Sequence, residues 1–200
     1  MNPRICDRCG CLLDQPLVCG KCGHRQTLAR QPLFCLTGPS GTGKSTVARA
    51  LLPRLSERFV VLEQDVLWLP ELSDPAGEHR LFRSTWLRLA AMIGQSGRPV
   101  LLCGTVVPPE LEPLPERALF SAVHYLALTC QPDVLAQRLR ARPAWREWDE
   151  PRIAEMLDYA GWLAAGAATL SPPVALLDTT DRSIEATAQD VCSWLARLTS

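Results

Sequence analysis

The sequence predicts an α/β domain, a three-layer parallel five-stranded sheet covered by helices, preceded by a small cysteine-rich segment. Three observations predict it. Five apolar runs of strand length alternate with segments of helical period, the order that a parallel sheet with crossover helices requires. A glycine-rich turn joins the first such run to the first such helix. Five of the nine cysteines fall within the first 22 residues, four of them in two C-x-x-C pairs.

Residues 1–28 carry those cysteines. Cys6-x2-Cys9 and Cys19-x2-Cys22 are each followed by glycine (Gly10, Gly23), which suits the tight knuckle that turns two sulfurs toward one ion. Four thiolates suit tetrahedral Zn²⁺, so Cys6, Cys9, Cys19 and Cys22 are the expected ligands of a closed, structural zinc ribbon. So short a segment cannot build a sufficient core, and metal binding would supply its folding energy, on the order of 10–16 kcal/mol. A rubredoxin-type iron site uses similar ligands, and Cys11 or His24 could replace one of the four. A redox C-x-x-C predicts one pair, not two. Cys35, Cys103, Cys130 and Cys192 sit in apolar segments and read as small hydrophobes.

Residues 29–32 read as a linker and 33–200 as one domain. "LFCLT" (33–37) is the first strand, stopped by Gly38; "KSTVARALLPRL" follows with Val47, Ala48, Leu51, Leu52 and Leu55 at helical spacing. "FVVLEQ" (59–64) is the second strand. "EHRLFRSTWLRLAAMI" (78–93) is expected to place Leu81, Phe82, Trp86, Leu89, Ala90 and Ile93 on one helical face. "PVLLCGT" (99–105) and "AVHYLALTC" (122–130) are strands three and four, with "VVPPELEPLPER" between them read as a loop. Residues 133–142 form a helix that ends before Pro143, and another occupies about 151–167. "VALLDT" (174–179) is the fifth strand. Ser183 caps a last helix with the stripe Ile184, Ala188, Val191, Leu195 and Leu198.

"GPSGTGKS" matches G-x-x-x-x-G-K-[ST] between a buried strand and an amphipathic helix. Glycines let backbone N–H groups wrap phosphates, and the helix N-terminus adds a positive dipole. Gly38, Ser40, Gly41, Thr42, Gly43, Lys44, Ser45 and Thr46 are therefore expected to hold a nucleotide, with Lys44 on the β- and γ-phosphates and the Ser45 hydroxyl on Mg²⁺. Lys44 is one of two lysines against 19 arginines, a compact ammonium where a guanidinium fork is too wide. Guanine-reading switches need an N-K-x-D-type element, for which no lysine is left. Motors carry an acid at the end of the strand that here offers Cys103 and Gly104.

On these residues the chain from 33 to 200 resembles the P-loop small-molecule kinases, the group of nucleoside, nucleotide, shikimate and gluconate kinases and chloramphenicol phosphotransferases. The resemblance rests on the phosphate loop, on an acid after the second strand and on an arginine-rich "RLRARPAWREW" segment. It implies a sheet ordered 2-3-1-4-5, ATP with Mg²⁺, and a mobile lid. Asp65, outside the carboxyl end of strand two, is the expected catalytic acid/base, with Glu63 as rival on the same side by strand alternation. Arg138 and Arg142, four apart on a helix, are the expected lid arginines, with Arg146 as alternate. His79, Arg80 and Arg83 are candidates for the acceptor wall, Phe82 and Trp86 read as core, and His124 reads as a core histidine. Thr180 and Asp181 are candidates on the adenine side.

Net charge is zero, with 21 acidic and 21 basic residues, and 47% of residues are hydrophobic. Such a chain is globular and lacks the field that non-specific nucleic-acid binding uses. The ribbon counted together with Arg30, with four thiolates on Zn²⁺, has a net charge of only about +1. No apolar run is long enough to span a bilayer and none resembles a secretory signal, so the expected setting is cytoplasmic. The expected function is transfer of the γ-phosphoryl group of ATP to a small metabolite, a nucleoside or nucleotide. The alternative is a nucleotide-binding or ATPase sensor whose ribbon docks a protein or RNA partner.

Overall fold

A computed structural model of the chain describes residues 4–199. Five strands, β1 (Leu33–Thr37), β2 (Val60–Glu63), β3 (Val100–Cys103), β4 (Val123–Thr129) and β5 (Val174–Asp178), form one parallel sheet ordered β2-β3-β1-β4-β5. This is the expected order. The connections are α1 (Lys44–Leu55), α2 (Arg80–Gly94), the short α3 (Pro108–Leu111), α4 (Pro132–Arg140) and α5 (Glu150–Gly166), and α6 (Ile184–Leu198) closes the chain.

Alternation along β1 builds the two cores. Leu33 and Cys35 pack on one face with Trp86, Val100, Leu102, Tyr125 and Leu163. Phe34 and Leu36 pack on the other with Val47, Leu51, Leu101, Leu128, Val191 and Trp194. Each of the four β1 residues is 0% exposed, as expected of a central strand covered on both sides. A third cluster, Leu135, Leu139 and Ile153, staples α4 to α5. The edge strand β5 buries Val174 and leaves most of its length open.

Four expectations are corrected. The stripe of α2 is displaced: Phe82, Trp86, Leu87, Ala90, Ala91 and Gly94 are buried, whereas Leu81 and Leu89 face outward. The helix begins after two left-handed residues, Glu78 (φ 54°) and His79 (φ 58°), which turn the chain into it and set its rotation. The proline-rich loop holds α3 and a 3₁₀ turn at Pro115–Leu119. Helix α4 ends at Arg140, so Arg142 lies beyond it and shares no helical face with Arg138; the residue before Pro143 is pushed out of the helical region. β2 ends at Glu63, and Gln64–Leu67 turn as a 3₁₀ helix, so alternation does not carry through to Asp65.

His124 is half-buried and stacks on Phe34, ring centroids 5.2 Å apart; burial lowers its pKa. The cysteine-rich segment carries short antiparallel bridges (Ile5 with Leu12, Val18 with Arg25) and packs on the main domain: Leu28 joins its core, and Gln95 Nε2 donates to Ala29 O at 3.2 Å. Among the described residues no helix is long and apolar enough to cross a membrane.

Candidate active site and metal centre

The phosphate loop is held by glycine geometry. Gly38 leaves β1 at φ 120°, where a Cβ would meet Leu128 O at 2.2 Å, so only glycine lets the loop lie against β4. Gly43, at φ 96°, caps α1 and aims its first amides into the loop. Thr42 is buried and its hydroxyl donates to Pro39 O at 2.8 Å. Lys44 Nζ reaches back along the loop to donate to Gly38 O (2.6 Å) and Pro39 O (2.9 Å). Burial lowers its pKa from 10.5 to about 8, against the pull of the Asp65 carboxylate.

The loop opens on a cavity of about 340 Å³ lined by Ser40, Gly41, Gly43, Lys44, Ser45 and Thr46, with Glu63 and Asp65 opposite. Ser45 Oγ donates to Glu63 Oε2 at 3.0 Å, and Glu63 Oε1 is buried with no hydrogen-bond partner in the structure. A hydroxyl beside a carboxylate with an unused, buried oxygen is a donor set for a hard divalent cation, so the residues fit Mg²⁺. Glu63 thus supplies from β2 an acid that β3 lacks. The 3₁₀ turn after it brings Asp65 to the same cavity.

Asp65 lies where two cavities meet. The second, about 760 Å³, extends away from the loop past Trp68, Phe82 and Arg83 to Trp148 and Met156. The charged residues lining both cavities are Asp65, Arg142 and Arg146. Both arginines belong to the segment between α4 and α5. That segment turns at Glu147 (φ 52°) and re-enters helix at Asp149, whose carboxylate accepts from Arg152 N at 2.9 Å. Arg142 is half-buried, near the Trp148 ring (5.5 Å), and its pKa is lowered by burial and by Arg146, with Asp65 opposing. Arg146 lies over Trp145, 4.7 Å from the ring centroid.

Arg138 does not join this group. Its guanidinium donates to Thr179 O (3.0 Å), Thr179 Oγ1 (3.3 Å) and Thr180 O (3.3 Å), tying α4 to the loop after β5. There it lines a cavity of about 300 Å³ with Thr42, Thr179 and Arg182, on the far side of the phosphate loop. Thr180 instead binds Asp178, and neither it nor Asp181 lines that cavity. Of the acceptor-wall candidates, His79 and Arg83 line the larger cavity and Arg80 does not. Phe82 and Trp86 are buried in the core, as expected; Phe82 also faces the cavity, and Trp86 Nε1 donates to Gln64 O at 3.1 Å. Glu110, Trp68, Trp148 and Met156 were not singled out by sequence. They come from separate segments, Glu110 from α3, Met156 from α5 and the two tryptophans from connecting turns, with no common spacing to mark them.

In the amino-terminal segment the Sγ atoms of Cys6, Cys9, Cys19 and Cys22 lie within 4.8 Å of one another. Cys6–Cys22 and Cys9–Cys19 are 3.7 and 3.6 Å apart. A Zn–S bond of about 2.3 Å in a tetrahedron implies sulfur–sulfur edges of about 3.8 Å, so the four residues fit a metal of that size. Gly10 N and Gly23 N donate to Cys6 O and Cys19 O, both at 2.9 Å, giving the two knuckles the same geometry. Cys11 points away, to Cys9 O, and His24 Nε2 pairs with Asp7 at 2.8 Å, so neither stands in the cluster.

Comparison with known proteins agrees with this geometry. A family profile described as "AAA domain" matches residues 35–157. The shikimate kinase of Geobacter sulfurreducens is 29% identical over 168 residues, covering 80% of this chain and 88% of that one. The bifunctional pantoate ligase/cytidylate kinase of Prochlorococcus marinus (strain MIT 9303) is 34% identical over 80 residues; the match covers 37% of this chain and 16% of that protein's length. The crystal structure of a gluconokinase from Sinorhizobium meliloti 1021 superposes with a TM-score of 0.57 at 18% identity, covering 86% of this chain and 95% of that one, a likeness of fold. These neighbours bear out the resemblance to P-loop small-molecule kinases.

Proposed function

We propose that this chain, which belongs to the AAA-domain family, transfers the γ-phosphoryl group of ATP to a hydroxyl of a small metabolite, a nucleoside or nucleotide being the class expected from sequence. The observation that carries the reading is the seam: one carboxylate and two guanidiniums shared by a phosphate-holding cavity and a larger, more apolar one. In this reading residues 33–200 are the transferase and residues 1–28 a zinc-stapled module.

Lys44 and the loop amides hold the triphosphate, and adenine lies toward Arg138, Thr179 and Arg182. Asp65 accepts the acceptor's hydroxyl proton as that oxygen bonds to the γ-phosphorus and the bond to ADP breaks. Arg142 and Arg146 face the charge spread over the equatorial oxygens. Ser45 and Glu63 would hold Mg²⁺, which would supply positive charge against the phosphate oxygens. Glu63 against Ser45 also favours a kinase over the sensor alternative, whose motive was the missing acid after β3.

The test is ADP release across a panel of hydroxyl metabolites. Asp65→Asn should lower kcat by about 10²–10⁴-fold while ATP binding persists. Stimulation by no acceptor, or full activity in Asp65→Asn, refutes the reading.

A further inference from the structure

The larger cavity holds several arginines, yet the guanidiniums beyond the seam are committed to the protein. Arg83, on the deep wall, donates to Glu78 O and pairs with Glu110 Oε1; its side chain is 14% exposed. Glu110 is fixed in turn by Val107 N, which donates to Oε2 at 3.0 Å. Arg152 donates to Arg146 O (2.9 Å) and Glu147 O (3.2 Å) and lies 4.4 Å over the Trp148 ring. Arg142 and Arg146 stand at the seam with Asp65. An anionic group placed beside Arg83 would therefore shed its water against a guanidinium that Glu110 already neutralises.

What the wall does offer is aromatic surface. Trp68 and Phe82 meet edge to face, centroids 4.9 Å apart, and Trp148 and Met156 continue the apolar lining. Among the lining residues, His79 Nδ1 and Trp148 Nε1 are shielded from solvent and have no partner among the described residues, whereas Gln64 Oε1 turns toward Gly104. Native proteins rarely strand such atoms, and a small rotation of either ring toward the cavity would let the edge of a bound ring pair them.

We propose that this cavity, read as the acceptor site, takes an uncharged ring-bearing alcohol of the nucleoside class and rejects its phosphate- or carboxylate-bearing counterpart, and that Glu110, by neutralising Arg83, sets that choice. The proposal rests on the kinase reading for the word acceptor, but its charge preference is a binding property.

The test uses the full, zinc-loaded chain saturated with a non-hydrolysable ATP analogue and Mg²⁺, so that the phosphate loop is occupied. Tryptophan emission is titrated with charge-matched pairs: four ribonucleosides against their 5′-monophosphates, and a cyclic polyol against the matching sugar acid. At least one neutral member should bind tenfold or more tighter than its anionic partner. Glu110→Gln, which leaves the Arg83 charge uncompensated, should shrink or invert that ratio by at least tenfold, whereas Arg83→Met with Glu110→Met should preserve it. Tighter or equal binding of the anionic members, an unchanged ratio in folded Glu110→Gln, or no binding by any neutral member overturns the proposal; if the variants do not fold, the wild-type ratio decides alone. Neutral ligands that bind but never stimulate ADP release would leave the charge preference standing and remove the kinase reading.

Discussion

Raising the pH from 7 to 9 should weaken nucleotide binding by an amount that Lys44 sets. Its ammonium is buried in the loop, where two carbonyls and the charges of Asp65 and Glu63 answer it incompletely, so it titrates near 8 and not at 10.5. A bound triphosphate favours the charged form and raises that value, so binding above the free-state pKa takes up a proton. With a free-state pKa near 8, about nine-tenths of the sites are protonated at pH 7, half at pH 8 and about one-tenth at pH 9. The dissociation constant should therefore rise roughly tenfold between pH 7 and 9, about 1.4 kcal/mol. Calorimetry of the Mg²⁺-loaded, non-hydrolysable ATP analogue in two buffers of different ionisation enthalpy reads the protons directly: about 0.1, 0.5 and 0.9 taken up at pH 7, 8 and 9. Asp65→Asn removes the carboxylate that holds the value up, so its curve should lie at lower pH. The unliganded fold shows the opposite trend from the same residue. Between about 8 and 10.5 the unfolded chain binds more protons at Lys44, so this group's effect on stability rises with pH while affinity falls. Constant affinity from pH 7 to 9 with no proton uptake at pH 8 would refute the placement of Lys44 against the phosphates.

Glu63→Gln should raise the Mg²⁺ concentration that half-saturates turnover by about 10–100-fold with little change in acceptor KM; an unchanged Mg²⁺ titration would remove Glu63 from the cation site. Elemental analysis should find one zinc per chain. Cys19→Ser or a strong chelator should release it and lower the melting temperature of the whole chain in a single transition, because Leu28 is part of the main core; retention of metal by Cys19→Ser, or an unmoved kinase-domain transition, would count against the stapled module. Arg138→Ala should raise the KM for ATP and spare the acceptor KM, whereas Arg142→Ala should lower kcat; the reverse pattern would exchange their assigned sides of the phosphate loop.

How much of this was legible in sequence depends on how local the cause is. β1 could be read because a strand packed on both faces has no polar position to spare, and all of Leu33–Leu36 is apolar. The phosphate loop could be read because its glycines answer steric demands within eight residues, as the Leu128 carbonyl against Gly38 shows. The metal knuckles are equally local. Helix α2 was misrotated because the two left-handed residues before it are neither glycine nor asparagine, so nothing in the chain announced them. The larger cavity was illegible for a different reason: Trp68, Arg83, Glu110 and Trp148 come from four segments, and only the fold brings them together.

The two carboxylates after β2 show where the boundary lies. Composition places acids at 63 and 65, and a period of two would aim both at one target. Yet the strand stops at Glu63 and a 3₁₀ turn intervenes, so one residue of separation divides the labour: Glu63 against Ser45, Asp65 at the seam. Gly104 is part of the cause. A Cβ there would lie 1.9 Å from Gln64 Oε1, so the gap it leaves lets the Gln64 side chain, which sits between Glu63 and Asp65 in sequence, be buried. The residue that marks β3 as lacking a motor's acid is thus the one that makes room for the turn joining Glu63 to Asp65. Gly104→Ala should accordingly impair Mg²⁺ dependence and acceptor turnover together, although residue 104 donates no side chain to either, and a variant with both intact would break that link.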